Sequence, residues 1–195
     1  MKKNLYKPVQ GREAARQSGN ALVMGLIAMA LAAIGLAIGV DQYRRAERST
    51  SIQKTVSDIA SIIGQANAVF GKYRYKNLTQ VSALDAGVLP ESFLQPGESG
   101  QAKQAVNQFG GQVYMATVGF GSPPIWYGVL QYQGVPSDLC PSVVTQTQHL
   151  ASGIAVNAYT IKLLPDTPFG LENISLACNG ADPANIQWVF GVGTS

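Results

Sequence analysis

The sequence predicts an α+β protein in which one long N-terminal helix packs against an antiparallel β-sheet head. Three observations predict it. Residues 21–40 form an uncharged apolar run that continues, without a proline, into apolar residues at helical spacing as far as Phe70. After Phe70 the chain changes to short alternating segments punctuated by Gly and Pro, the pattern of strands joined by turns. The only two cysteines, Cys140 and Cys178, both fall in the C-terminal third. A chain of 195 residues has room for one domain with appendages.

Residues 1–19 are a basic extension. Lys2, Lys3, Lys7, Arg12 and Arg16 are opposed there only by Glu13. The whole chain carries a formal charge of +3, and without this segment the remainder falls to about −1. A nearly neutral body argues against nucleic acid as a partner, because neutralising phosphates needs clustered cations. The basic excess belongs to the terminal segment.

Residues 20–40 form the apolar half of the helix. Twenty residues rise about 30 Å, the thickness of a bilayer's hydrocarbon core, so a membrane helix is the leading reading and a buried soluble helix the lesser one. A cleaved secretory signal is a rival, since a basic region precedes the run. Its apolar core is usually about 7–15 residues before a small-residue cleavage site, whereas this run is longer and passes straight into DQYRRAER. The flanking charges give a weak orientation signal, because Arg44, Arg45, Arg48 and Lys54 follow the run. Gly25, Ala28, Ala32, Gly35 and Gly39 lie at intervals that permit close approach between helices, although Ala and Gly are also simply common in membrane helices.

Residues 41–71 form the amphipathic half. Ile52, Val56, Ile59, Ile63, Ala66 and Phe70 recur at intervals of four and three, a single apolar face. Val69 broadens that face and Gly71 terminates the helix. Gly25, Gly35, Gly39 and Gly64 loosen it, each costing about 0.8–1 kcal/mol relative to Ala. The apolar face needs cover, and residues 72–195 are the candidate.

Within that head, residues 81–86 read as a short helix, and Val88, Leu89, Phe93 and Leu94 as packing anchors. The Phe109-Gly110-Gly111 turn introduces QVYMATV, and Pro123-Pro124 precedes IWYGVLQY; both segments suit strands. Residues 137–152 read as a helix started by Pro136-Ser137-Asp138. GIAVNAYTI, ENISLAC and NIQWVF read as further strands, giving a sheet of four or five. Trp126, Tyr127, Tyr132, Trp188 and Phe190 suit a sheet core better than a ligand groove.

A Cys140–Cys178 bond would close a loop worth about 4 kcal/mol of chain entropy and implies an oxidising compartment; two reduced thiols are the alternative. No CxxC pair accompanies them and His149 is the single histidine, so most zinc sites are removed and any catalytic triad would depend on that one residue. His149 reads as a surface or helix-end residue. No phosphate-binding glycine motif is present. The expectation is a protein that is not an enzyme and uses no cofactor and no metal.

A basic leader ending at Gly19, an apolar helix ALVMGLIAMALAA, an amphipathic continuation and a two-cysteine C-terminal region together resemble the type IV pilin family. The long leader and the head resemble its type IVb branch, with bundle-forming and conjugative-plasmid thin-pilus pilins. NQFGG around Phe109 resembles the turn that leads into the head's first strand. The resemblance implies that a prepilin peptidase cuts after Gly19 and methylates Asn20. It implies that Cys140 and Cys178 pair. It further implies a Gram-negative inner membrane holding the helix with the head in the periplasm, an inner-membrane assembly platform, and an extracellular filament of pilin subunits serving adhesion, aggregation or mating. The family has glutamate at the fifth mature position, where this chain has Met24. That glutamate offsets a neighbour's N-terminal ammonium in an apolar core, so Met24 raises an accessory or tip subunit beside the major subunit. A pseudopilin of a type II secretion system and a single-pass anchored periplasmic binding or adhesion domain are the alternatives.

Overall fold

The structure is a computed structural model. It describes residues 13–95, 104–162 and 170–191, without the side chains of residues 13–22, 31–38, 41 and 171. The chain divides after Ser49 into two compact units.

Helix α1 runs over Glu13–Phe70, beginning before the expected start at residue 20. Ala14, Ala15, Arg16 and Gln17 are good helix formers with no proline among them, so the helix extends through Gly19. It ends as expected at Phe70, where Gly71–Tyr73 forms a 3-10 turn and Arg74 and Tyr75 take positive φ. Its C-terminal half buries Thr55, Ile59, Ile62, Ile63, Ala66 and Phe70, with Ile52 partly buried beside them. Val69 lies at the rim of that stripe and is 42% exposed, so it does not broaden the buried face. Burying Thr55 is tolerated because its hydroxyl donates to the Ser51 carbonyl at 2.8 Å.

Helix α2, Gln80–Asp85, is started by a capping box between Thr79 and Ser82. Val88, Leu89 and Phe93 are the buried anchors that follow it. A small ribbon of β1, Leu94–Gln95, and β2, Gln104–Ala105, was not anticipated. The main sheet contains β3 (Val113–Phe120), β4 (Ile125–Val135), β5 (Gly153–Val156), β6 (Tyr159–Lys162) and β7 (Ala184–Phe190). Its spatial order is β3-β4-β7-β5-β6, and every neighbouring pair is antiparallel. The strand last in sequence is therefore the central one.

Three local expectations are corrected. GIAVNAYTI is a hairpin, not one strand, because Asn157 and Ala158 at φ 49° and 70° make the paired left-handed turn suited to β-hairpins. ENISLAC is a helix, α4, Leu171–Asn179. A strand would bury Ile174, Leu176 and Cys178 together, yet Leu176 is 73% exposed while Ile174, Ala177 and Cys178 are buried at helical spacing. The expected helix over 137–152 is shorter: α3 spans Cys140–Thr147, followed by a 3-10 turn at Gln148–Leu150. Ser137 does not cap it; Leu139 occupies that position without a side-chain bond.

The core lies on one face of the sheet. Along β7, Ala184, Ile186, Trp188 and Phe190 point inward and are buried, while Asn185 and Gln187 point outward and are exposed. Trp188 pairs in register with Leu130 on β4 and Ile154 on β5, and its indole N–H donates to Thr147 Oγ1 at 2.9 Å. The polar end of a fully buried tryptophan is thereby satisfied. Tyr132 meets Trp188 edge-on, with centroids 6.4 Å apart, and Tyr75 meets Phe190 at 5.6 Å. A Cβ at Gly128 would enter the Phe190 ring, so that position accepts only glycine without rearrangement. Of the five expected core aromatics, Tyr132, Trp188 and Phe190 are fully buried, while Trp126 and Tyr127 are half-buried.

Candidate assembly site

Residues 13–49 form the N-terminal part of α1. The side chains described there leave large apolar groups open: Val23, Met24, Leu26, Ile27, Met29, Val40 and Tyr43 are all exposed, Met24 at 70%. A Cβ placed on Gly25 or Gly39 meets nothing within 4 Å. Gly25, Ala28 and Gly39 are exposed, whereas the surroundings of Ala32 and Gly35 lie outside the described residues. Gly19 and Asn20 are within α1, and the side chains around them lie outside the described set, as does most of the leader. Among the described residues no helix is long and apolar enough to cross a membrane.

The opposite arrangement governs residues 50–191, where the amphipathic half of α1 joins the head. NQFGG is the joint. Asn107 Oδ1 accepts from the backbone N–H groups of Phe109 at 2.9 Å and Gly111 at 3.1 Å, while its Nδ2 donates to the Gln133 carbonyl at 2.6 Å. Asn107 is buried, so these bonds replace the water it has lost. Gly110 supplies φ 81° for the turn, and a side chain on Gly111 would collide with the Gln133 backbone. Gln108 then reaches α1, its Nε2 donating to Thr55 Oγ1 at 2.6 Å and to the Ser51 carbonyl at 3.0 Å. A five-residue turn thus ties helix to sheet through amide side chains.

The disulfide forms between Cys140 and Cys178, with Cα atoms 5.7 Å apart and both residues buried. It connects α3 to α4, two helices, and not helix to strand as expected. The bond closes the segment that contains the β5–β6 hairpin. Asn157 reinforces this segment: its Nδ2 donates to the Ala177 carbonyl at 2.8 Å and its Oδ1 accepts from Asn185 N–H at 2.8 Å.

Two features were not found by sequence reasoning. Gln80 lays its amide along the edge of β3, accepting from Met115 N–H at 2.7 Å and donating to the Val113 carbonyl at 3.2 Å. It blocks part of an edge that would otherwise pair with another strand. The second feature is Asp58 beside Tyr132. Asp58 Oδ2 and the Tyr132 hydroxyl are buried without hydrogen-bond partners among the described residues. Burial raises the Asp58 carboxyl, with Lys54 lowering it in part; burial, then the Asp58 charge, pushes the Tyr132 hydroxyl up. The available signal was an aspartate at the margin of an apolar helical stripe. His149 is exposed in the middle of the short 3-10 turn, and among the described residues no cluster of three or more His, Cys, Asp or Glu could hold a metal.

A long helix with an open apolar part and a buried amphipathic part, an antiparallel sheet and a disulfide-bounded region define a pilin-type subunit. The family described as PilS N terminal matches residues 49–191, and the chain belongs to that family. In fold it is similar to a type IV b pilin from Salmonella typhi, with 16% identity, TM-score 0.51, and 74% of this chain and 99% of that chain covered. It is also similar to TcpA, a type IV pilin from the Vibrio cholerae El Tor biotype, with 13% identity, TM-score 0.48, and 70% and 98% covered. A comparison with curated proteins finds no match. The family assignment covers the head and the amphipathic half of α1, and the likeness to the Salmonella typhi pilin is one of fold.

Proposed function

We propose that this chain is a structural subunit of a type IVb pilus. Residues 1–19 are the leader, removed after Gly19 by a prepilin peptidase, so that Asn20 becomes the methylated first residue. Residues 20–40 rest in the inner membrane with the head in the periplasm. An assembly platform then moves the helix out of lipid and into a filament, where neighbouring helices pack through Gly25, Ala28, Ala32, Gly35 and Gly39. The filament, outside the cell, serves adhesion, aggregation or conjugative mating.

The observation that carries this reading is the open apolar surface of α1 between Val23 and Met29. Leaving several large side chains in water forfeits about 1.5–3 kcal/mol each relative to burial, so the surface belongs in lipid or against other helices. Within a bilayer the helix satisfies its own backbone, and exchange of lipid for neighbouring helices is nearly balanced. The buried disulfide suits a periplasmic head.

Met24 favours a second form of the same reading. Its exposed thioether side chain supplies no negative charge for a neighbour's ammonium, which suits an accessory or tip subunit. The intact mass of the chain recovered from cells tests processing: a methylated chain starting at Asn20 is expected, and an intact N-terminus with all nineteen leader residues overturns the proposal. The proportion of this chain in sheared surface filaments separates the major from the accessory form.

A further inference from the structure

The two edges of the main sheet are defended unequally. β6 is 4 residues long, pairs irregularly with β5 between Ile154 and Ala155, and ends on Lys162. Short, irregular and charged edge strands resist pairing with another chain. β3 has 8 residues, and no Asp, Glu, Lys or Arg occurs between Lys103 and Asp138. Its protection is partial, because Gln80 occupies only the edge groups of Val113 and Met115.

The N–H of Met115 faces Gln80, so the odd-numbered residues of β3 turn their backbone groups away from β4. Thr117 and Gly119 are the next two. Their N–H and C=O groups have no hydrogen-bond partner among the described residues. Beyond them Gly121, at φ 84°, turns the chain off the edge. Gln80 at Met115 and the turn at Gly121 thus bound the open stretch at equal distances on either side of Val118.

The surface beside this stretch is apolar. Val118 and Phe120 lie on the outward face, with Tyr127 and Ile125 as their register partners on β4. The Phe120 and Tyr127 rings meet edge-on with centroids 5.6 Å apart, and Phe120 and Ile125 are exposed. A strand laid along Thr117–Phe120 continues the backbone ladder and sets its own side chains beside Val118 and Phe120.

A second copy of the chain fits the stretch by symmetry. A two-fold axis at Val118 sets Thr117 against the partner's Gly119 and Gly119 against the partner's Thr117. Both residues face the edge, so each pair exchanges its two backbone bonds. Gln80 then falls opposite the partner's Gly121, where the chain has already turned away. Phe120 comes beside the partner's Ala116, whose small side chain leaves it room, and two uncharged edges meet without like-charge repulsion. An unrelated strand gains nothing from this centring. We infer that the Thr117–Phe120 edge of β3 pairs antiparallel with the same edge of a second copy, joining two five-stranded sheets into one. This contact goes beyond the role of a filament subunit and stands whether or not a filament assembles.

The test is position-specific cross-linking of the full chain in a zwitterionic detergent, with copper-phenanthroline as oxidant. Val118 opposes its own counterpart in a pair without backbone bonds, where Cα atoms lie about 4.5 Å apart, within disulfide reach. Val118→Cys should therefore give at least about fivefold more disulfide-linked dimer than Thr160→Cys on the opposite edge. Ala116→Cys should stay at the Thr160→Cys level, because its counterpart lies roughly 14 Å along the strand. Association through α1 brings the copies together alike in every variant, so only the position on the edge differs. Thr117→Pro removes a solvent-facing edge N–H, a place where proline is tolerated, and should cut the Val118→Cys dimer about fivefold. Should that variant fail to give a cooperative melt, Phe120→Lys puts a charge on the edge and should lower the dimer in the same direction. The inference is overturned if Val118→Cys links no better than Thr160→Cys, or if Ala116→Cys links as well as Val118→Cys. It is also overturned if the edge substitutions leave the yield unchanged, or if an unrelated strand peptide, acetyl-Thr-Val-Thr-Val-Thr amide, displaces the second copy at equal concentration. None of these results bears on the mass test of the N-terminus.

Discussion

The two ends of α1 share one helix and follow opposite rules. Between residues 50 and 70 its large apolar side chains sink into a core with the sheet, where Ile59, Ile62, Leu130 and Trp188 have no exposure. Between residues 23 and 30 comparable side chains stand open, Met29 at 74%. The difference is one of partners. The head buries its large apolar side chains within the chain, whereas those described between Val23 and Met29 are open. Stability of the head and competence for assembly should therefore respond to different substitutions.

The largest effect should come from Trp188→Ala, which removes the central core ring and its hydrogen bond to Thr147 Oγ1. A loss of up to about 5 kcal/mol is expected, read as a lower denaturant midpoint of the head. Cys140→Ser, which breaks the disulfide, should cost roughly 3–4 kcal/mol, and reduction of the parent protein should reproduce most of it. Asn107→Ala should cost about 1–3 kcal/mol by orphaning buried N–H and carbonyl groups, with faster hydrogen exchange at Phe109 and Gly111.

Asp58→Asn tests the pair with Tyr132. Because burial raises the folded carboxyl above its ordinary 3.8, protonation favours the folded state. Asp58 thus contributes stability that is full below that value and is lost as pH rises through the raised one. The substitution should flatten this acid-side gain and stabilise the head near neutrality, by less than about 1 kcal/mol after solvent screening. Leu26→Ser should leave the head's midpoint within about 0.5 kcal/mol of the parent while reducing recovery in filaments. A drop in head stability from that change would erase the contrast between the two regions.

The sequence disclosed what depends on period and length. The α1 face from Ile59 to Phe70, strands β3, β4 and β7, and the cysteine pairing all follow from local pattern or from the family resemblance. What escaped it depends on context across the fold. ENISLAC alternates as a strand does, and only its position against β5 and β6 rewards Ala177 over Leu176. The amide bonds of Gln80, Asn107 and Gln108 join residues far apart in sequence, and nothing local marks a glutamine as an edge plug. The open apolar stretch was legible because apolarity without charge is a property of residues 21–40 themselves.

The placement of β7 has a consequence for biogenesis. Among the described strands, the last in sequence is the one that joins the others: without Ala184–Phe190, β3–β4 and β5–β6 are two separate hairpins with no common backbone ladder. Arrival of β7 is thus the step that completes the head, and a chain that lacks it presents two half-sheets with open edges.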